Sequence, residues 1–235
     1  MIDLSQTVGR LVTERPERAR VFEEFEIDYC CGGKRTLRDA CRSRRLDPDV
    51  VRRRLAEADA GTPEQQTDWA AAPLGDLIEH IVAAHHGYLK AELPRVSGLL
   101  VKAAGAHGDR HPELLRVLEA FAPFARDLTQ HMAKEERVLF PLIRRLAAGE
   151  VTPSPTYLAP LRVMEAEHDD AGRALDEMRR LTDGFRPPGD ACNTYRAALT
   201  GLHRIEQDLH RHVHLENNVL FPQVEELIPA PAFAQ

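Results

Sequence analysis

The segments HMAKEERVLFP (131–141) and HVHLENNVLFP (212–222) stand 81 residues apart and agree at six of eleven positions, among them the leading His and the Glu four residues later. Residues four apart share a helix face. His131 with Glu135, and His212 with Glu216, therefore each aim an imidazole and a carboxylate at one point. Two more histidines stand in nearly matching places: His86 lies 45 residues before His131, and His168 lies 44 before His212. Four imidazoles and two carboxylates in a doubled pattern are a ligand set for a dinuclear metal site, with the glutamates bridging and two histidines serving each metal. Metals bridged in this way stand roughly 3.5–4 Å apart. Imidazole and carboxylate ligation suits Fe, Mn or Zn, and a site without thiolate but with open positions for redox chemistry favours two non-haem iron ions, Fe2+ or Fe3+.

A single histidine on a helix is more often structural than a ligand, and one His-x3-Glu pair is common on helix surfaces. The signal here is the doubling in register, with the same VLFP tail and matched upstream histidines. The same offset relates Asp127 to Asp208, each one turn before its His. These acids read either as acceptors of the distal imidazole N–H, as carboxylates behind metal ligands are, or as solvated acids. Glu167, beside His168, is a candidate proton relay. His80, His85, His107, His111, His203, His210 and His214 have no partner in register and receive no role.

Helices must carry these side chains. From Leu114 through Phe121, Leu128, Met132, Leu139 and Leu142 to Leu146, the stripe steps by 4,3,4,3; shifted by 81 it runs from Tyr195 through Leu209 and Gln223 to Leu227. Both read as bundle seams. Each is interrupted by a Glu, at 135 and 216, and a lone carboxylate there is costly unless paired or metal-bound. The first helix of each pair is shorter: 74–104 carries His86, with Pro94 permitting a kink, and 157–183 carries His168. Gly and Pro cluster at 105–112, 147–155 and 183–190, which read as loops. The expected fold class is all-α. An up-down four-helix bundle covers 73–228, preceded by a small helical N-terminal domain (1–58) and a polar linker (59–72), and followed by a tail (229–235).

In the N-terminal domain, Thr36 and Asp47-Pro48 read as helix starts. So small a unit has a limited core, and is expected to lean on the bundle or on another subunit, as in a homodimer. Cys30-Cys31-Gly32-Gly33 follows an apolar helical stretch, and its glycines permit a helix stop. It is no zinc site, since residues 1–79 hold no His and only three Cys. Small buried residues at a helix end, or a thiol pair with chemistry, are both open readings.

Charged residues make up 29% and apolar residues 43% of the chain, as in a soluble globular protein. No apolar run approaches the ~18 residues of a membrane span. No basic-then-apolar signal opens the chain, so a cytoplasmic location with reduced cysteines is expected. The net charge of −6 divides into +2 over 1–58 and −8 over the rest, which does not suggest a nucleic-acid partner. The clusters Arg42, Arg44, Arg45 and Arg52, Arg53, Arg54 read as solvated helix faces, with contact to an acidic partner as the other reading.

The chain resembles the repair of iron centres family, di-iron proteins with a haemerythrin-like bundle. The resemblance spans nearly the whole chain and rests on His86 in HHGYLKAELP, His131 and Glu135 in HMAKEERVLFP, His168 in VMEAEHDDAG, His212 and Glu216 in HVHLENNVLFP, and the N-terminal FEIDYCCGGKRTL (25–37). It implies a cytoplasmic, stress-related protein that restores iron–sulfur clusters damaged by oxidants or nitric oxide. It also implies a di-iron centre with two His per iron and bridging Glu. The implied partners are damaged iron–sulfur proteins, NO or O2, and an electron donor the sequence does not name. Cys30 and Cys31 become a thiol pair that handles iron, nitrosyl groups or electrons. Other dinuclear bundles fit less well. Ferritin-like sites use Glu-x-x-His twice; Glu165 and His168 match once, but Ala83 stands before His86. An oxygen-carrying haemerythrin has a second His one turn after its third-helix ligand, where this chain has Gly172, so the site is expected to be more open. Two other functions fit the same ligands: a sensor or binder of O2 or NO, and an enzyme that reduces NO or peroxide.

Overall fold

The computed structural model describes residues 2–60 and 67–228; part of the expected linker and all of the expected tail lie outside them. Among the described residues the fold is all-α, and the one β feature is an isolated bridge between Thr7 and Thr36. Two compact units divide the chain. One takes Met1–Ile78, Arg144–Leu161 and His210–Gln235 as far as these are described; the other takes Glu79–Ile143 and Arg162–Leu209.

The first unit opens with α1 (Val8–Glu14), α2 (Arg18–Glu24), α3 (Leu37–Arg44) and α4 (Pro48–Asp59). Both expected helix starts are present: the Thr36 side chain accepts from the Asp39 amide and Asp47 from the Asp49 amide, with Pro48 in the first turn. Leu11, Phe22, Leu37, Val51 and Leu55 are fully buried. Each such side chain contributes about 1.5–3 kcal/mol. Arg18 closes this core: its guanidinium donates to both Asp59 oxygens at 2.9 and 2.7 Å and to the Leu11 carbonyl at 3.0 Å. Between α2 and α3, Asp28 accepts the amides of Cys30 and Cys31 at 3.0 Å and of Gly32 at 2.8 Å, which winds the cysteines into a tight turn.

This small core leans on the end of the chain, within the same unit. The Tyr29 ring meets the His214 ring edge-on at 5.6 Å. Asn218 makes the closest approach. Its amide donates to the Cys30 carbonyl at 2.9 Å and more weakly to the Tyr29 carbonyl at 3.4 Å. A Cβ at Gly9 or Gly33 would fall 2.3 or 2.1 Å from the Asn218 side-chain oxygen, so the slot for Asn218 exists because both residues lack one.

The second unit is a ring of four helical stretches. Helix α5 (Leu74–His80) enters it, followed by a π-helical turn (Ile81–His86) and α6 (Gly87–His107). Next come α7 (Glu113–Lys134), a π-turn (Glu135–Leu139) and the start of α8 (Phe140–Ala147). Then follow α9 (Leu158–Leu181) and α10 (Asn193–Leu215). Arg116 of α7 reaches Glu177 of α9 at 3.9 Å. Glu206 of α10 is buried on the seam but takes Nε of Arg179 from α9 at 2.8 Å, so this seam carboxylate is satisfied within the protein. Asp208 of α10 takes the His85 ring at 3.0 Å. Helix α6 continues through Pro94, and the irregularity in this stretch is the π-turn before it.

A third π-turn (Glu216–Leu220) joins α10 to α11 (Phe221–Leu227) in the first unit. Each π-turn inserts one residue into the helical repeat. The apolar stripe slips accordingly: Ile143 is buried where Leu142 was expected, and Val224 and Ile228 are buried where Gln223 and Leu227 were expected. The Phe140 and Phe221 amides reach back five residues to Glu135 and Glu216, and the prolines that follow, Pro141 and Pro222, have no N–H to continue the α ladder.

Two outcomes follow from these contacts. Gly98 lies inside α6 with nothing within 4 Å of an added Cβ, so Gly98→Ala should raise the unfolding free energy by about 0.5–1 kcal/mol. Gly33→Ala meets Asn218 and should lower it by about 1–3 kcal/mol; equal effects in urea titrations would contradict the slot. The second outcome concerns His111, whose ring nitrogens meet Glu113 at 2.9 Å and Asp190 at 3.0 Å. The Glu113 hydrogen bond first, and then Asp190, against the opposing effect of burial, raise its pKa above 6.5. A raised folded-state pKa means the tie to the Asp190 loop is fully present below the ordinary value of 6.5 and is lost as pH rises through the folded value. Hydrogen exchange of the loop before α10, corrected for intrinsic rates, should accelerate over that window, and His111→Gln should abolish the step. The same profile in both proteins would refute it.

Candidate metal centre

Four of the six expected ligands meet in the second unit. His86 ends the first π-turn, His131 sits in the last turn of α7, Glu135 opens the next π-turn, and His168 lies mid-way along α9. All four are buried, His86 and Glu135 completely. His131, Glu135 and His168 each bring one ligand atom within 4.8 Å of the others. His86 Nε2 lies 3.4 Å from one Glu135 oxygen and His131 Nε2 lies 3.2 Å from the other. His168 Nε2 stands 3.0 Å from His131 Nε2.

The far sides of two rings decide what this cluster wants. His86 Nδ1 is 2.8 Å from Glu136, and His131 Nδ1 is 2.8 Å from Glu167. An ionised carboxylate can only accept, so each Nδ1 carries a proton and each ring turns its Nε2 toward Glu135. Lys90 caps Glu136 at 2.5 Å, and Lys134 caps Glu167. Burial opposes ionisation of both acids, but the lysine and imidazole donors win and hold their pKa values below the usual glutamate range. Meanwhile neither Glu135 oxygen has a hydrogen bond among the described residues. A completely buried carboxylate without a hydrogen bond, ringed by imidazole nitrogens, is unfavourable until positive charge joins it. The residues present therefore fit a metal ion.

The other two expected ligands meet each other in the first unit. His212 Nε2 lies 3.0 Å from a Glu216 oxygen, and both side chains are fully buried. His212 sits in the last turn of α10 and Glu216 opens the π-turn that follows, which repeats the placement of His131 and Glu135. Three π-turns thus coincide with ligand positions, as such turns often do at functional sites.

The outer acids differ from expectation. Asp127 is exposed and pairs with Arg126 at 2.9 Å, leaving Glu167 as the residue that holds His131. Glu167 approaches His131 from α9. Asp208 holds His85, not His212, so His85 has a structural partner that the repeat gave no reason to assign. Glu136 was missed altogether; its one signal was its place directly after Glu135. Other histidines without a repeat partner also have settled places: His214 packs on Tyr29, and burial pushes its pKa down to about 4. Gly172 is half-buried on α9, one turn after His168. Cys30 is buried and Cys31 half-buried, their sulfurs 3.9 Å apart, and the Cys30 thiol donates to Asp28 at 3.3 Å.

Comparison with known proteins agrees with this geometry. The Hemerythrin HHE cation binding domain family matches residues 77–224, and the ScdA_N family, described as a domain of unknown function, matches residues 4–59. The iron-sulfur cluster repair protein YtfE of Musicola paradisiaca is 41% identical over 222 residues, covering 93% of this chain and 95% of the relative. The protein of the same name from Dickeya chrysanthemi is 41% identical over 218 residues (93% and 96% covered), and that from Yersinia pseudotuberculosis is 38% identical over 220 residues (93% and 96% covered). With His131, Glu135 and His168 buried together where they could hold a metal ion, and with this likeness along nearly its whole length, the chain belongs to the hemerythrin-domain family of YtfE-type iron–sulfur cluster repair proteins.

Proposed function

We propose that His86, His131, Glu135, His168, His212 and Glu216 together hold two non-haem irons, and that the protein uses them to restore iron–sulfur clusters damaged by nitric oxide or oxidants. The observation that carries this reading is Glu135: fully buried, without a hydrogen bond, and faced by the Nε2 atoms of His86 and His131. The sequence repeat adds His212 and Glu216 as the matching half. The names of the relatives supply the repair activity and hence damaged iron–sulfur proteins as partners. No described helix is long and apolar enough to cross a membrane, which accords with a cytoplasmic place of action.

The irons, when bound, supply Lewis-acid and one-electron redox chemistry toward NO or O2. The protein's own part is orientation and access. Glu136 with Lys90, and Glu167 with Lys134, fix the imidazole tautomers so that Nε2 faces the metal. Gly172 adds no side chain where an oxygen carrier has another imidazole. Cys30 and Cys31 act as thiols on iron, nitrosyl groups or electrons passing between client, donor and centre.

Protein purified without oxygen should contain two irons per chain, and its reduced form should change its visible spectrum on adding NO. Loaded protein, and not the metal-free form, should restore activity to a nitric-oxide-damaged iron–sulfur enzyme. Glu135→Ala and Glu216→Ala should each lower iron content. Two irons retained in the double variant would falsify the ligand assignment. A second outcome isolates the supporting acids. Glu136→Gln and Glu167→Gln keep size but remove charge, and each should weaken metal binding about 10–100-fold in chelator competition. Unchanged competition curves would return both acids to the surface.

A further inference from the structure

The turn that carries Cys30 and Cys31 holds three donor groups. One atom each from Asp28, Cys30 and Cys31 falls within 4.8 Å of the others. We propose that Asp28, Cys30 and Cys31, too few for the closed four-ligand zinc site excluded by the sequence, form an open receiving site for one thiophilic divalent cation, Fe2+ in the repair reading, bound by both thiolates and a carboxylate oxygen. This deepens the thiol role proposed above by naming its cargo and its third ligand, and it does not depend on the two irons of the bundle.

The geometry suits the ion. Sulfurs bound at ~2.3 Å with a near-tetrahedral angle stand about 3.8 Å apart, and a linear ion would need about 4.6 Å. The observed separation is 3.9 Å. The Asp28 oxygen lies 3.3 Å from Cys30 Sγ, where the thiol proton bridges them. Binding replaces that proton with the cation and leaves the three amide bonds to Asp28 in place. The balance is two thiols and M2+ going to a dithiolate complex and two protons released to water; no electrons move. The turn is held from both sides, by Asp28 in front and by Asn218 behind the Cys30 carbonyl, so the ligands are preorganised.

Exposure defines the direction of access. Cys30 is buried, Cys31 is half-buried and Asp28 is exposed, so the site opens to solvent on the Asp28 and Cys31 side. Three ligands leave a position for a thiolate of an incoming or departing partner, which suits transfer over storage. The neighbouring Cys31 thiol first, then burial and Asp28, push the Cys30 thiol well above its ordinary range. Without a cation Cys30 therefore stays protonated and unreactive, and the cation itself draws off its proton.

The test uses full-length protein with its bundle iron-loaded beforehand, in a Cys192→Ser background because Cys192 is exposed. Co2+ is added without oxygen and thiolate-to-cobalt charge transfer is followed, a band that the nitrogen and oxygen ligands of the bundle do not give. One equivalent of Co2+ should give a band of two-thiolate strength. Cys30→Ser or Cys31→Ser should about halve it and weaken binding more than tenfold. Asp28→Asn keeps one acceptor oxygen for the Cys30 and Cys31 amides but loses the charge and the acceptor for Gly32, and should keep the band with affinity lowered about tenfold. Co2+ should also slow alkylation of Cys30 and Cys31 together. No band in the parent protein, a full band in the Cys30→Ser, Cys31→Ser double variant, or alkylation unaffected by Co2+ would each overturn the proposal. Iron content measured on the same samples separates the two ideas. Band loss with both irons retained sinks this site alone, whereas an intact band in protein that never held two irons supports this site and sinks the di-iron reading.

Discussion

The carboxylate of Glu135 is sealed from water without a hydrogen bond, and the surrounding part of the structure is organised around that fact. Burying an unpaired carboxylate carries a penalty of several kcal/mol even after relaxation. A domain of this kind is stable by only about 5–15 kcal/mol. Such a group persists where its burial serves another purpose. Its neighbours show which one: His86 and His131 commit their Nδ1 protons to Glu136 and Glu167, and so point Nε2 at Glu135. Lys90 and Lys134 stand behind those acids and keep them ionised. The chain of charge runs from lysine at the surface through carboxylate and imidazole to a buried carboxylate. Each link makes sense only if positive charge occupies the inner end.

The two halves of the repeat keep their ligands and diverge beside them. After Glu135 come Glu136 and Arg137; after Glu216 come Asn217 and Asn218. In the first copy the next residue is an acid that orients a ligand from another helix. In the second copy the corresponding stretch is where the N-terminal helices lean, with Asn218 giving both amide hydrogens to backbone carbonyls of the cysteine turn. An acid at 218 could not donate to those carbonyls, and an arginine would not fit a slot walled by Gly9 and Gly33. The pattern that repeats is therefore the proposed ligand pair with the VLFP that follows it. The part that differs is what each copy must do for its own surroundings.

This division explains what was legible in the sequence. Helical periodicity and the caps at Thr36 and Asp47 are local, and the structure has them where the residues demanded them. The histidines and glutamates of the repeat were visible because two copies vouch for each other. The π-turns were not, since a one-residue insertion in the helical register leaves no mark on residue types; it surfaces only as burial of Ile143 and Val224 in place of Leu142 and Gln223. The supporting acids failed for a related reason. Register singled out Asp127 and Asp208, yet the group that meets His131 comes from a different helix, and nothing in one helix's spacing reports its neighbour's rotation. Glu206 shows the converse: this buried carboxylate on α10 is neutralised by Arg179 and has no vacancy for a cation.

On the proposed reading, ligand chemistry would give the two parts of the chain different tasks. Imidazole and carboxylate hold iron in a hard, oxygen-tolerant setting, while the iron of an iron–sulfur cluster lives among thiolates and sulfide. Iron moving between these settings must exchange nitrogen and oxygen ligands for sulfur, and a change made in one step leaves the ion exposed to water and oxidant. A mixed set of two thiolates and one carboxylate lies between the extremes. It shares its ligand types with both, and with three ligands it can be entered from one side and left toward another. That the intermediate set sits on a turn pinned to the very helix segment that begins with Glu216 is then a matter of economy in the fold: one asparagine fixes the sulfur ligands with respect to the residue two positions before it, and the small N-terminal core gains the support that its size denies it.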